Sequence, residues 1–176
     1  MINETELHED LSGDIIPEIN PEKLFDEKEY STIIIGNDST NKKDIELVDY
    51  ITILISPKTS REEKDEALIA LKQPKAAEFL INAITKTKKA EQKAVLVAAC
   101  WEIGLDFSSH YQFFIDLICS NNFLVSFEAL TVIQEIEAEI TKDEERLALE
   151  KLSKIKEPNV SVTDAIELIT NKLSID

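Results

Sequence analysis

From about residue 43 onward, apolar side chains recur three and four positions apart, the spacing that aligns them along one face of an α-helix. The pattern predicts helices near 43–56, 61–72, 75–86, 90–104, 110–120, 123–139, 142–156 and 162–173. Their starts carry a second signal. Ser60 with Glu63, Ser109 with Gln112, Thr141 with Glu144 and Ser161 with Asp164 each fit or approximate a capping box. In that arrangement a small hydroxyl accepts from an orphan N–H and the residue three positions later reaches back. Pro74 at a first turn and Pro158 after a last turn agree with the same division. Before residue 43 the periodicity is absent. Residues 1–42 are predicted to be an acidic N-terminal tail or arm. Within 1–40, eleven acids face only Lys23 and Lys28, and apolar residues are scattered around Ile16-Pro17 and Asn20-Pro21. Such a stretch cannot build its own core. Its "STIIIGNDST" has β character with no pairing strand nearby, which suits a short extended arm against the helical domain, residues 43–176.

The helices also repeat. "FLINAI" at Phe79, "FFIDLI" at Phe113 and "LALEKL" at Leu147 each begin 34 residues after the last. A second element alternates with them: "EKDEALIALK" (63–72), "VLVAACWEIG" (95–104), "VSFEALTVIQ" (125–134) and "SVTDAIELIT" (161–170) align without gaps. Each places alanine fifth (Ala67, Ala99, Ala129, Ala165) and a branched residue ninth (Leu71, Ile103, Ile133, Ile169). A small side chain lets a neighbouring backbone approach, and the branched one fills the space a turn later. Helix pairs at this period bury their apolar faces only by stacking on one another.

In these residues the chain resembles the HEAT/armadillo class of α-helical repeats. Val95, Ala99, Cys100, Ile103 and Gly104 occupy the places of the second-helix pattern of HEAT repeats, as do Val125, Ala129, Leu130 and Ile133. The usual Arg is replaced by Leu96 or Ser126, only Lys64 being basic there, and the Asp-Pro turn is missing. The resemblance spans 60–173, extending toward 43. It implies an all-α fold: a short right-handed α-α superhelix, a HEAT-like solenoid of about four helix pairs. It further implies that the second helices line a concave surface that faces a partner.

Composition narrows the picture. Only 3 Gly and 5 Pro disfavour a turn-rich β fold. A net charge of −16 opposes nucleic acid, whose affinity comes from cations neutralising phosphates, and opposes anionic membranes likewise. Two cysteines inside apolar runs match a reducing compartment. "MINETELHED" has neither a basic nor an apolar leader region, and no apolar run nears the ~20 residues of a membrane span, so the expected location is cytoplasmic.

The chemical candidates are few. Cys100 beside Trp101, the sole tryptophan, sits where the repeat wants a small apolar residue, within a helix apolar on nearly all sides. It is expected to be core, Cys119 to be core or near-core, and Trp101 to be a core or inter-repeat plug. Two Cys and the separated His8 and His110 do not assemble the four clustered ligands of zinc, so no metal and no cofactor are expected. No glycine-rich phosphate loop exists, and the many carboxylates read as solvated faces. One stripe stands out as a partner-binding candidate. Glu128, Glu135 and Glu139, at i, i+7 and i+11, share one helical line, and Glu102 on the preceding second helix extends it.

The expected function is therefore a non-enzymatic protein–protein interaction module, a scaffold or adaptor. It would bind another protein, a basic one suiting its charge, on its concave face, through its acidic tail, or through both. The alternative is a small acidic chaperone or immunity-type inhibitor for a basic cargo. An enzyme would instead require a deep pocket holding a carboxylate beside Trp or Tyr.

Overall fold

The computed structural model describes residues 42–174, and the expected arm lies almost entirely outside the described residues. Eight α-helices and no strand are found among the described residues. They are α1 (Lys42–Ile55), α2 (Arg61–Ala70), α3 (Ala76–Lys86), α4 (Ala90–Glu102), α5 (Tyr111–Ile118), α6 (Phe123–Glu135), α7 (Lys142–Leu152) and α8 (Val160–Ser174). A short 3-10 turn, Ser108–His110, leads into α5. The fold is all-α, and no described helix is long and apolar enough to cross a membrane.

Two of the four expected capping boxes form, Ser60 with Glu63 and Thr141 with Glu144, each with both reciprocal bonds. The other two do not. Asp106, not Ser109, accepts from the backbone of Ser108 ahead of the 3-10 turn. Gln112 instead donates across to the Glu144 carbonyl at 2.9 Å. α8 starts two residues before the expected position because Asn159 caps it, its Oδ1 accepting from the Val162 N–H. Asn122 caps α6 in the same way through Val125. An asparagine oxygen satisfies the orphan donors as well as a serine hydroxyl does.

The helices pack as neighbouring hairpins. α3 lies on α4, α5 on α6 and α7 on α8; across hairpins α4 lies on α6, α6 on α8, and α5 on α7. Alanines Ala99, Ala129 and Ala165 suit the close approach of α4, α6 and α8; all three are buried, as is Ala67 on α2, and so are Leu71, Ile103, Ile133 and Ile169. The 34-residue beat is equally visible in the other helices, one position on from where each motif opens. Leu80, Phe114 and Ala148 are buried, and so are Ile84, Ile118 and Leu152 a turn later. Phe79 and Phe113 are half-buried beside them, whereas Leu147 is exposed.

The first hairpin departs from this regularity. α1 packs on α2, α3 and α4, and α2 makes no comparably extensive contact with α4. The sequence of α2, REEKDEALIA, offers Ala67 as its sole buried residue, so it has no second apolar face for α4. α4 is apolar enough to serve α1, α3 and α6 at once, with Ala94, Leu96, Val97, Ala99 and Cys100 buried.

Polar contacts tie the hairpins where side chains are buried. Ser126, in the slot expected to hold Arg, is fully buried. Its hydroxyl donates to the Ile118 carbonyl at 2.8 Å and accepts from Asn159 Nδ2 at 3.3 Å. One oxygen thereby joins the end of α5, the start of α6 and the cap of α8, with its hydrogen-bonding capacity met in the interior.

Candidate functional site

The C-terminal ends of α4 and α6 come together around a cleft of about 540 Å³. Its walls include Trp101, Gly104, Asp106, Phe107, Glu135 and Glu137, and Cys100 lies in its floor. The path of the chain out of α4 creates the opening. Ile103 ends the helix, and Gly104 follows at φ +65°, the left-handed conformation that closes helix ends, its N–H donating to the Trp101 carbonyl at 3.2 Å. The chain then turns toward Asp106, which stays exposed while Phe107 is buried. Two helix C-termini add partial negative charge to that of the carboxylates.

Trp101 is not a core plug. It is 36% exposed, and its indole N–H donates to Glu128 Oε2 at 2.9 Å, linking α4 to α6 across their surface. Of the two expected roles, core or inter-repeat plug, the indole keeps only the position between repeats: it spans the seam of two helices at the surface, although its neighbours in sequence are apolar. Cys100 is as expected, fully buried with its thiol donating to the Leu96 carbonyl at 3.4 Å. Burial pushes that thiol far above its ordinary range, the opposite of what a nucleophile needs. Cys119 is half-buried at the end of α5, and burial together with Asp116 raises its thiol as well.

The expected acidic stripe is only partly assembled. α6 ends at Glu135, with Ile136 in extended backbone at φ −71°, ψ 109°, so Glu139 lies outside the helix and off its line. Helical residues of high propensity run through to 139, but the buried Ile136 and half-buried Ile140 fix this connection by their side chains. Glu128 and Glu135 do share the exposed face of α6, and Glu102 at the end of α4 stands close to Glu128. Partial burial, then the charges of Glu128 and Asp65, hold the Glu102 carboxyl above the usual carboxylate range.

The cations needed to neutralise this group are not nearby in sequence. Between Lys93 and Lys142 the chain has seven carboxylates and no Lys or Arg. Of these, Asp116 is met by Lys151 of α7 at 2.6 Å. No ion pair involves Glu102, Glu128, Glu135 or Glu137 among the described residues. The cleft does place carboxylates beside a tryptophan, but Asp106, Glu135 and Glu137 are exposed, whereas a general acid draws its raised pKa from burial. No group of three or more metal-ligating side chains occurs among the described residues.

A feature the sequence reading missed adjoins the acids. Phe123, Leu124 and Phe127, on the first turns of α6, are 52%, 51% and 48% exposed. The two phenyl rings lie 6.0 Å apart. Comparisons of the chain with protein-family models, curated proteins and solved structures found no match.

Proposed function

We propose that this chain is a protein-interaction module built as a short HEAT-like solenoid of about four helix pairs. In this reading it holds a partner protein along the row formed by α4, α6 and α8, without chemistry of its own. The repeat supports the architecture, since equivalent positions, the alanine series among them, are buried in each hairpin and α4, α6 and α8 pack in succession. The observation that carries the function is the α4–α6 surface: an exposed Trp101 held by Glu128, next to carboxylates that form no ion pair among the described residues and an exposed aromatic pair. Carboxylates gathered against their own repulsion and aromatics left in water both oppose stability, and sequences tolerate such conflicts chiefly where function needs them. The inert thiol of Cys100 and the exposed acids fit binding better than catalysis.

The test is capture of a partner from extracts of the source cells by the full-length protein, with Glu128→Gln/Glu135→Gln as the comparison. The module reading expects a discrete partner whose recovery falls with the double variant. Undiminished recovery places the contact elsewhere and overturns it. The unpaired carboxylates also suit the acidic-chaperone alternative for a basic cargo. Salt separates the two: a charge-only clamp loses its cargo steeply as ionic strength rises, whereas contacts shared with Phe123 and Phe127 persist.

A further inference from the structure

Resting on that interaction reading, we propose that the exposed face of α6 receives an amphipathic, basic helix of a separate partner protein. The apolar residues of that helix would cover Phe123, Leu124 and Phe127, and its Lys or Arg side chains would reach Glu128 and Glu135.

The register of α6 supplies the geometry. With each residue turning about 100°, Phe123, Phe127, Leu124, Glu135 and Glu128 fall in that order within ~140° of one another, opposite the buried Val125, Ala129, Val132 and Ile133. Apolar groups therefore occupy the start of this face. The carboxylates run along its edge toward Trp101 and the cleft, ending about 12 Å beyond Phe127 at 1.5 Å per residue. The Asn159–Ser126 bond holds the head of α8 against the first turns of α6 on the buried side, opposite Leu124 and Glu128. A partner helix matching this face carries apolar residues at i and i+4, then a basic residue one or two turns on.

Charge selects the occupant. α6 itself has no cation, and none occurs between Lys93 and Lys142. A second copy of the chain would oppose Glu128 and Glu135 with the same two carboxylates. The chain's own residues 1–40 bring eleven acids and two lysines. A separate partner with positive charge beside its apolar stripe complements both halves of the surface, where the other two satisfy one and repel the other.

Trp101 is the only tryptophan in the chain and lies at the edge of this surface, so its emission reports occupancy. The experiment titrates the full-length protein with three synthetic peptides of about 14 residues: a Leu/Lys amphipathic helix, its Leu/Glu counterpart, and a permuted Leu/Lys peptide without a stripe. The proposal expects the amphipathic Leu/Lys peptide to bind and shift the emission. Phe127→Ser and Glu128→Gln/Glu135→Gln should each weaken it by about tenfold or more, with circular dichroism unchanged. Leu147→Ser, which removes an equally exposed apolar side chain from α7, should leave it intact. Equal binding of the Leu/Glu or permuted peptide overturns the proposal, as does equal weakening by Leu147→Ser, or no binding of the Leu/Lys peptide. In each of those cases, partner capture that still depends on Glu128 and Glu135 leaves the broader interaction reading standing.

Discussion

The helices α5 and α7 and the helices α4 and α6 stand in contrast, although the same repeat generates both rows. Between α5 and α7 an ion pair and an amide bond cross the seam: Lys151 meets Asp116, and the half-buried Gln112 donates to the Glu144 carbonyl, although Gln112 Oε1 has no hydrogen-bond partner among the described residues. Between α4 and α6 the surface contact is a neutral indole on a carboxylate, and the neighbouring acids form no ion pair among the described residues. Both rows bury their apolar repeats equally well, with Phe114 and Ile118 in one and Ala99 and Ala129 in the other at most a few per cent exposed. The difference therefore lies outside what folding demands. One row pairs an acid with a cation across its seam, and the other leaves charge and aromatic surface to be completed from outside.

The sharpest test of equal packing is on the buried side of each row. Phe114→Ala should cost about 3–5 kcal/mol in chemical denaturation, since it empties a fully buried site edged by Phe107 and Phe113. Ala129→Leu should cost about 1–3 kcal/mol by forcing α6 away from its neighbours. A tolerated leucine there would show the α4–α6 row to be loosely packed and would break the comparison. Asn159→Ala removes both the cap of α8 and the tie to Ser126, with an expected loss of about 1–2 kcal/mol. The smallest effect has the opposite sign. The carboxyl of Glu102 is held above its unfolded value, so the native state binds its proton more readily, and stability falls as pH rises through that range. Glu102→Gln should raise stability slightly at neutral pH, by less than about 1 kcal/mol given its exposure. The gain should vanish once both forms are protonated in acid. A loss at neutral pH would mean that Glu102 is paired.

Much of the architecture was legible because packing repeats. Ala67, Ala99, Ala129 and Ala165 mark helix contacts, and a periodic constraint leaves a periodic trace. The end of α6 was not read correctly. Glu135 through Ile140 are mostly good helix formers with no Gly or Pro to stop them, and propensity alone continues the helix. The signal present was the pair of isoleucines four apart, Ile136 buried and Ile140 half-buried, with the three residues between them exposed. Ser161 lies close to Asn159 and drew the capping signal of α8 to itself, while Asn122 has Val125 in place of the Glu or Gln that completes a capping box. The cleft was invisible in principle, since it arises where the ends of two helices 33 residues apart in sequence converge. Only Gly104 hinted at it, as the residue able to turn the chain back at that point.

The two thiols sit at different depths, Cys100 sealed beneath α4 and Cys119 near the surface at the end of α5. Alkylation in the absence of denaturant consequently supplies two clocks in one molecule. The outer one runs with small local fluctuations, and the inner one advances only when the middle of the stack comes apart. Their relative rates measure how far the hairpins open independently or as a single cooperative unit.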